Sequence, residues 1–129
     1  MHDAVRLPRR IYTIAAVVGI AMLAPLYVME ARIAELSPPA VTHPEHYYGF
    51  VGLALVWQLA FLLIARDPIR YRPLMPITFL EKLSFGGAVV WLYLAGRVDT
   101  MVLGAGLADL TWLLLFVVAW RRTPTVEAT

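Results

Sequence analysis

The chain contains no cysteine. That excludes disulfide staples, thiolate zinc sites and the membrane thiol oxidoreductases that pass electrons to quinones. It also has little charge. Asp, Glu, Lys and Arg make up 16% of its 129 residues, against about 25% in ordinary soluble domains. The net charge is only +2, and the arginines fall in short groups beside apolar runs rather than together on one face. No nucleic-acid partner is expected from such a pattern. No histidine lies inside a long apolar run, so a membrane b-type haem would find no ligand pair. Repeats and low-complexity tracts are absent too.

What is there is apolar. Hydrophobic residues account for 60% of the chain, too many for so small a protein to bury in water. Four runs, residues 11–29, 48–65, 78–95 and 101–120, approach the roughly 20 residues that a bilayer-spanning helix needs. The first follows Arg6, Arg9 and Arg10 but is longer than a secretory h-region and lacks a small-x-small cleavage site. It reads as a retained span. Pro25 should loosen its far end, because proline removes a backbone donor and crowds the preceding turn. The short connections between the second, third and fourth runs predict an all-α fold: a single integral membrane domain over residues 1–129, arranged as an up-down four-helix bundle.

The basic residues give a direction. Arg6, Arg9, Arg10, Arg66, Arg70, Arg72, Arg121 and Arg122 flank one side of the spans, whereas the other side has only Arg32 and Arg97. The positive-inside rule then predicts cytoplasmic N- and C-termini, with the loop of residues 30–47 outside. Two Thr-x-x-Glu patterns, Thr42 with Glu45 and Thr78 with Glu81, predict capping boxes at the starts of the second and third helices.

Polar residues inside the apolar runs are the candidate functional residues. Glu81 and Lys82 stand together near the cytoplasmic mouth of the third span. Capping accounts for Glu81, and snorkelling of the long lysine stem to the interface accounts for Lys82. Glu81, Ser84, Ala88 and Trp91 recur at helical spacing and predict a face that packs on a neighbour or lines a cavity. Asp109 lies near the middle of the fourth span, where an ionised carboxylate costs at least about 2.5–3.5 kcal/mol. A hairpin through "GRVDT" would set it level with Ala88, about 9 Å from the level of Lys82, so that a direct salt bridge is strained. Gln58 is then the expected hydrogen-bond partner of a protonated Asp109, with Trp91 and Trp112 as further donors around a ligand. Glycines and alanines, Gly86, Gly87, Gly104, Ala105, Gly106 and Ala108, predict close helix packing or room for a flat apolar ligand. His43, Glu45 and His46 could reach one metal ion, but His43 falls in the first turn beside Pro44; neither a metal nor a cofactor is expected.

The stretch "ARDPIRYRPLMPITFLEKLSFG", followed by "LYLAGRV", resembles small bacterial four-helix membrane proteins of the DoxX-like group over the second to fourth spans. That resemblance implies a multi-pass protein of the bacterial inner membrane, accessory to other complexes, and supplies no catalytic residues. A more distant likeness, to membrane proteins of the emopamil-binding and sterol-isomerase type, implies acidic residues and tryptophans around a lipid pocket. Glu81, Asp109, Trp91 and Trp112 are the available counterparts.

Two functions follow as expectations. The first is a non-enzymatic accessory or scaffolding membrane protein that binds lipid, with a second copy or another membrane protein as partner. The second is a membrane enzyme or carrier for a lipid, sterol-like or quinone-like molecule, with Asp109 and Glu81 as its acid–base groups.

Overall fold

The computed structural model describes residues 3–126 and is all-α, with no strand among them. The chain runs through α1 (Arg6–Leu23), a 3-10 stretch (Ala24–Val28), α2 (Glu30–Leu36), α3 (Pro44–Arg66), a 3-10 turn (Arg72–Leu74), α4 (Met75–Leu94) and α5 (Thr100–Arg122). With its 3-10 extension where there is one, each of the four long segments has 23 residues and is apolar enough to cross a membrane. At 1.5 Å per residue, each reaches about 34 Å, enough for a hydrocarbon core of about 30 Å. The protein is therefore a four-helix membrane bundle. Its outer surface agrees, since Ile14, Val17, Val56, Leu59, Leu94 and Leu114 are all exposed.

Pro25 acts as expected, because α1 stops at Leu23 and gives way to the 3-10 stretch that contains the proline. The short helix α2 is an addition within a segment expected to be loop. Both expected capping boxes are corrected. The N-cap of α3 is His43, with Pro44 as the first helical residue, and no side chain caps it, so Thr42 lies outside the helix. α4 begins at Met75, a full turn before the threonine proposed to start it. Proline in the first turn, Pro44 in α3 and Pro76 in α4, explains both starts: its fixed φ suits the helix and its missing N–H would have no partner there. Thr78 is instead fully buried. Its hydroxyl donates to the Met75 carbonyl at 2.6 Å and shares a 2.8 Å hydrogen bond with the Tyr12 hydroxyl. A side-chain cap does occur at α5, where Asp99 Oδ1 accepts the Val102 amide at 2.9 Å.

A Schellman motif closes the end of α4. Gly96, at φ +70°, donates to the Tyr93 carbonyl, and Arg97 donates to that of Leu92, each at 2.9 Å. α4 and α5 thus form a tight hairpin, packed along their length. α1 packs on α3 and on α5, but α3 and α4 are held apart although they are consecutive. The eight residues from Asp67 to Leu74 supply the slack, and Phe50 and Phe85 stack across the gap with centroids 5.4 Å apart.

The core is concentrated at one end, where Tyr12 stacks on Phe116 at 4.4 Å and Phe61 meets Phe116 edge-on at 5.0 Å. Ile64, Met75 and Ala119 complete it. Arg72 seals this end by donating from Nε to the Thr123 carbonyl at 3.0 Å while its guanidinium lies over Trp120. At the opposite end the Tyr47 and Tyr48 hydroxyls donate to the Leu26 carbonyl and the Glu30 carboxylate, tying α3 to the turn after α1. Between these two ends the bundle is less densely filled.

Candidate functional site

The inner face of α4 consists of Met75, Thr78, Lys82, Gly86 and Val89, spaced three and four residues apart. Lys82, the only lysine in the chain, therefore points into the bundle and is 7% exposed. This corrects the expectation that it snorkels to the interface. The small residue one turn further on decides the matter. A Cβ added at Gly86 would lie 2.7 Å from Leu110 Cγ and 2.9 Å from the Gly106 carbonyl oxygen, so the Gly86 side of α4 must be the side pressed against α5. Lys82 shares that side.

The same contact fixes the register of the hairpin. Gly86 sits against Gly106 and Leu110, and Gly106 sits against Val89. Asp109 is therefore level with the turn between Lys82 and Gly86 rather than with Ala88. Lys82 Nζ donates to Asp109 Oδ1 at 3.2 Å, and the salt bridge expected to be strained is formed. Glu81 Oε2 is 3.7 Å from the same ammonium. The Phe61 ring lies below it, with its centroid 5.3 Å away. One cation thus meets two carboxylates and an aromatic face near the middle of the bundle.

Gln58 is buried at 2% exposure, but its amide donates to the Ala54 carbonyl of its own helix at 2.9 Å rather than meeting Asp109. Gly19 makes room for it: any Cβ there would collide with the Gln58 amide. Gln58 Oε1 and Glu81 Oε2 are buried acceptors without a hydrogen-bond partner among the described residues.

These groups surround a central chamber of about 280 Å³ to which all four long helices contribute. Gln58, Glu81, Lys82, Asp109 and Trp112 are in its wall, and the remaining lining is apolar, with Gly19, Ala105 and Ala108 leaving room. A second space, an open groove of about 450 Å³, lies in the gap between α3 and α4. Phe50, Ala54, Glu81 and Phe85 line both. Ser84 lines only the groove, and its hydroxyl donates to the Glu81 carbonyl at 2.8 Å. Trp91, 64% exposed, lines neither and faces outward. The face of α4 expected to pack on a neighbour or line a cavity therefore does not pack on α5; its Glu81, Ser84 and Ala88 line the groove, and Trp91 lies outside it.

The structure brings together Gln58, Glu81, Asp109 and Trp112 of the expected residues, and it adds Lys82, Gly19, Phe50 and Phe85. One signal in the sequence could have found Lys82: every other basic residue in the chain is arginine, and the single lysine stands inside an apolar run. His43, Glu45 and His46 also converge, with ligand atoms within 4.8 Å of one another, but all three are exposed at the start of α3 and lie apart from the chamber. Comparison with protein-family models, with curated proteins and with solved structures finds no match for this chain.

Proposed function

We propose that this protein is an accessory, non-enzymatic membrane protein of the bacterial inner membrane that holds a lipid or another apolar small molecule in its central chamber. One observation carries this reading: a mid-bundle space of about 280 Å³ with an apolar lining and a single polar patch formed by Gln58, Glu81, Lys82 and Asp109. Binding sites for amphiphiles combine such a lining with a few convergent polar groups. The resemblance to DoxX-like proteins supports the accessory character. The arginine distribution supports cytoplasmic termini, with α2 outside.

A second reading, as an enzyme or carrier for an apolar molecule, is favoured by Glu81. Asp109 is committed to Lys82, whereas Glu81 Oε2 lacks a hydrogen bond and stands where chamber and groove meet. Acid–base chemistry would therefore begin at Glu81 rather than Asp109.

Native mass spectrometry of the protein released from mild detergent, with lipid extraction of the same sample, tests the proposal. The expected spectrum shows a bound amphiphile on the folded protein, recovered chemically unchanged. Protein that is folded but bare, in every detergent and lipid supplied, contradicts it. Recovery of a chemically altered ligand would favour the second reading.

A further inference from the structure

The groove and the chamber meet at one residue that carries charge. Phe50, Ala54, Glu81 and Phe85 are common to both spaces, and of these only Glu81 is ionisable. A molecule moving sideways from the bilayer into the chamber would pass the stacked Phe50 and Phe85 rings and meet this carboxylate. We propose that the groove and chamber form one lipid-facing site for an amphiphilic amine, its ammonium on Glu81 and its alkyl chain in the groove between α3 and α4. This rests on the reading of the chamber as a binding site and names the class of its ligand.

Charge selects the head group. Lys82 brings one positive charge to two carboxylates and hydrogen-bonds to Asp109 at 3.2 Å, standing 3.7 Å from Glu81 Oε2. When it is matched to Asp109, an ionised Glu81 has no counter-charge of its own among the described residues. An anionic head would face two carboxylates, and a neutral hydroxyl could hydrogen-bond to the Glu81 carboxylate but would leave its charge unbalanced. An ammonium does both. The surroundings favour it as well: Phe50, Trp57 and Phe85 line the groove beside Glu81, and aromatic faces attract a desolvated cation. The remaining groove wall, with Leu53, Ile77 and Leu80, suits an alkyl chain.

The test uses the full chain in phosphatidylcholine nanodiscs and four probes of equal chain length: dodecylamine, dodecyltrimethylammonium, dodecanol and dodecanoate. Binding is read from tryptophan emission, with empty nanodiscs subtracted. Dodecylamine is expected to act at a concentration about tenfold below dodecanol and dodecanoate. Dodecyltrimethylammonium, a cation without an N–H, should fall between dodecylamine and dodecanol. Glu81→Gln should remove the preference for amine over alcohol, Phe85→Leu should weaken it, and Leu94→Ala, at the exposed end of α4, should leave it intact. Dodecanol binding as tightly as dodecylamine, or an amine preference that survives Glu81→Gln, would overturn the amine assignment while leaving the chamber as a binding site. No binding by any probe would overturn both. Should Glu81→Gln fail to fold, a photoreactive alkylamine on the native protein decides instead. Labelling at Phe50, Trp57 or Phe85 is expected, and labelling confined to other helices overturns the proposal.

Discussion

Replacing Lys82 by methionine roughly keeps the volume of the side chain and removes the only cation among the described residues that faces Asp109 and Glu81. Those two carboxylates are 21% and 16% exposed, and each would then remain in the bundle without a counter-charge. Breaking a buried pair in this way costs about 3–5 kcal/mol, and even the mildest membrane scale assigns a lone carboxylate about 2.5–3.5 kcal/mol. Lys82→Met should therefore destabilise the protein by about 3 kcal/mol or more. Asp109→Asn should cost less, about 1.5–3 kcal/mol, because it removes one charge-assisted hydrogen bond while Lys82 keeps Glu81 at 3.7 Å. The double variant should be less damaging than the sum of the two by at least about 1 kcal/mol, since neither partner is left stranded by the other's loss. Reversible unfolding in bicelles, titrated with SDS and followed by far-UV circular dichroism, gives all three values. If Lys82→Met cost under about 1 kcal/mol, or the two changes were simply additive, the ammonium would be at the membrane surface and the buried-pair geometry would be wrong.

Other consequences separate local causes. Gly86→Ala should push α5 from α4 and cost about 1–3 kcal/mol by overpacking, because the new methyl group meets Leu110 and the Gly106 carbonyl; Gly104→Ala, with open space around it, should be neutral by the same measurement. Tyr12→Phe should cost about 1 kcal/mol, because Thr78 retains its hydrogen bond to Met75, whereas Thr78→Val leaves the Tyr12 hydroxyl buried and unpaired and should cost about 1–3 kcal/mol. At the α5 cap, the Val102 amide and then the Ser37 hydroxyl hold the Asp99 carboxyl below its ordinary value. Its contribution is thus present above the ordinary carboxylate range and disappears as pH falls through the lowered value. NMR titration of Asp99 should show that displacement, and Ser37→Ala should move the midpoint upward. Single cysteines at 84 and 91 should react with apolar maleimides in membranes, and one at 82 should resist them.

The spans were legible because length and apolarity alone decide whether a helix can cross a bilayer, and the break near Pro25 because proline acts locally. The bundle class followed from the short connections. The pairing of α1 with α3, and the gap between α3 and α4, did not, because an eight-residue connection allows either arrangement. The capping residues were misread because prolines set the helix starts: Pro44 began α3 just after Thr42 and left that threonine outside, and Pro76 began α4 upstream of Thr78 and left that threonine inside. The site was half legible. Gln58, Asp109 and Glu81 stood out as polar groups in apolar runs, but their partners depended on which face of α4 turned inward. Gly86 against Gly106 and Leu110 decided that face, and such a contact involves two helices at once. Nothing in the α4 periodicity alone distinguishes the face of Lys82 and Gly86 from the face of Glu81, Ser84 and Trp91.

Ala54 stands where groove and chamber join, and Ala54→Phe would block that junction while Lys82, Glu81 and Asp109 are all retained. Native mass spectrometry of this variant beside the wild type, both in the same lipid and at matched helicity, tests whether the chamber is the binding site. The wild type should carry a bound amphiphile that the variant has lost. Equal occupancy by the same mass in both proteins would place the ligand elsewhere and contradict the central claim.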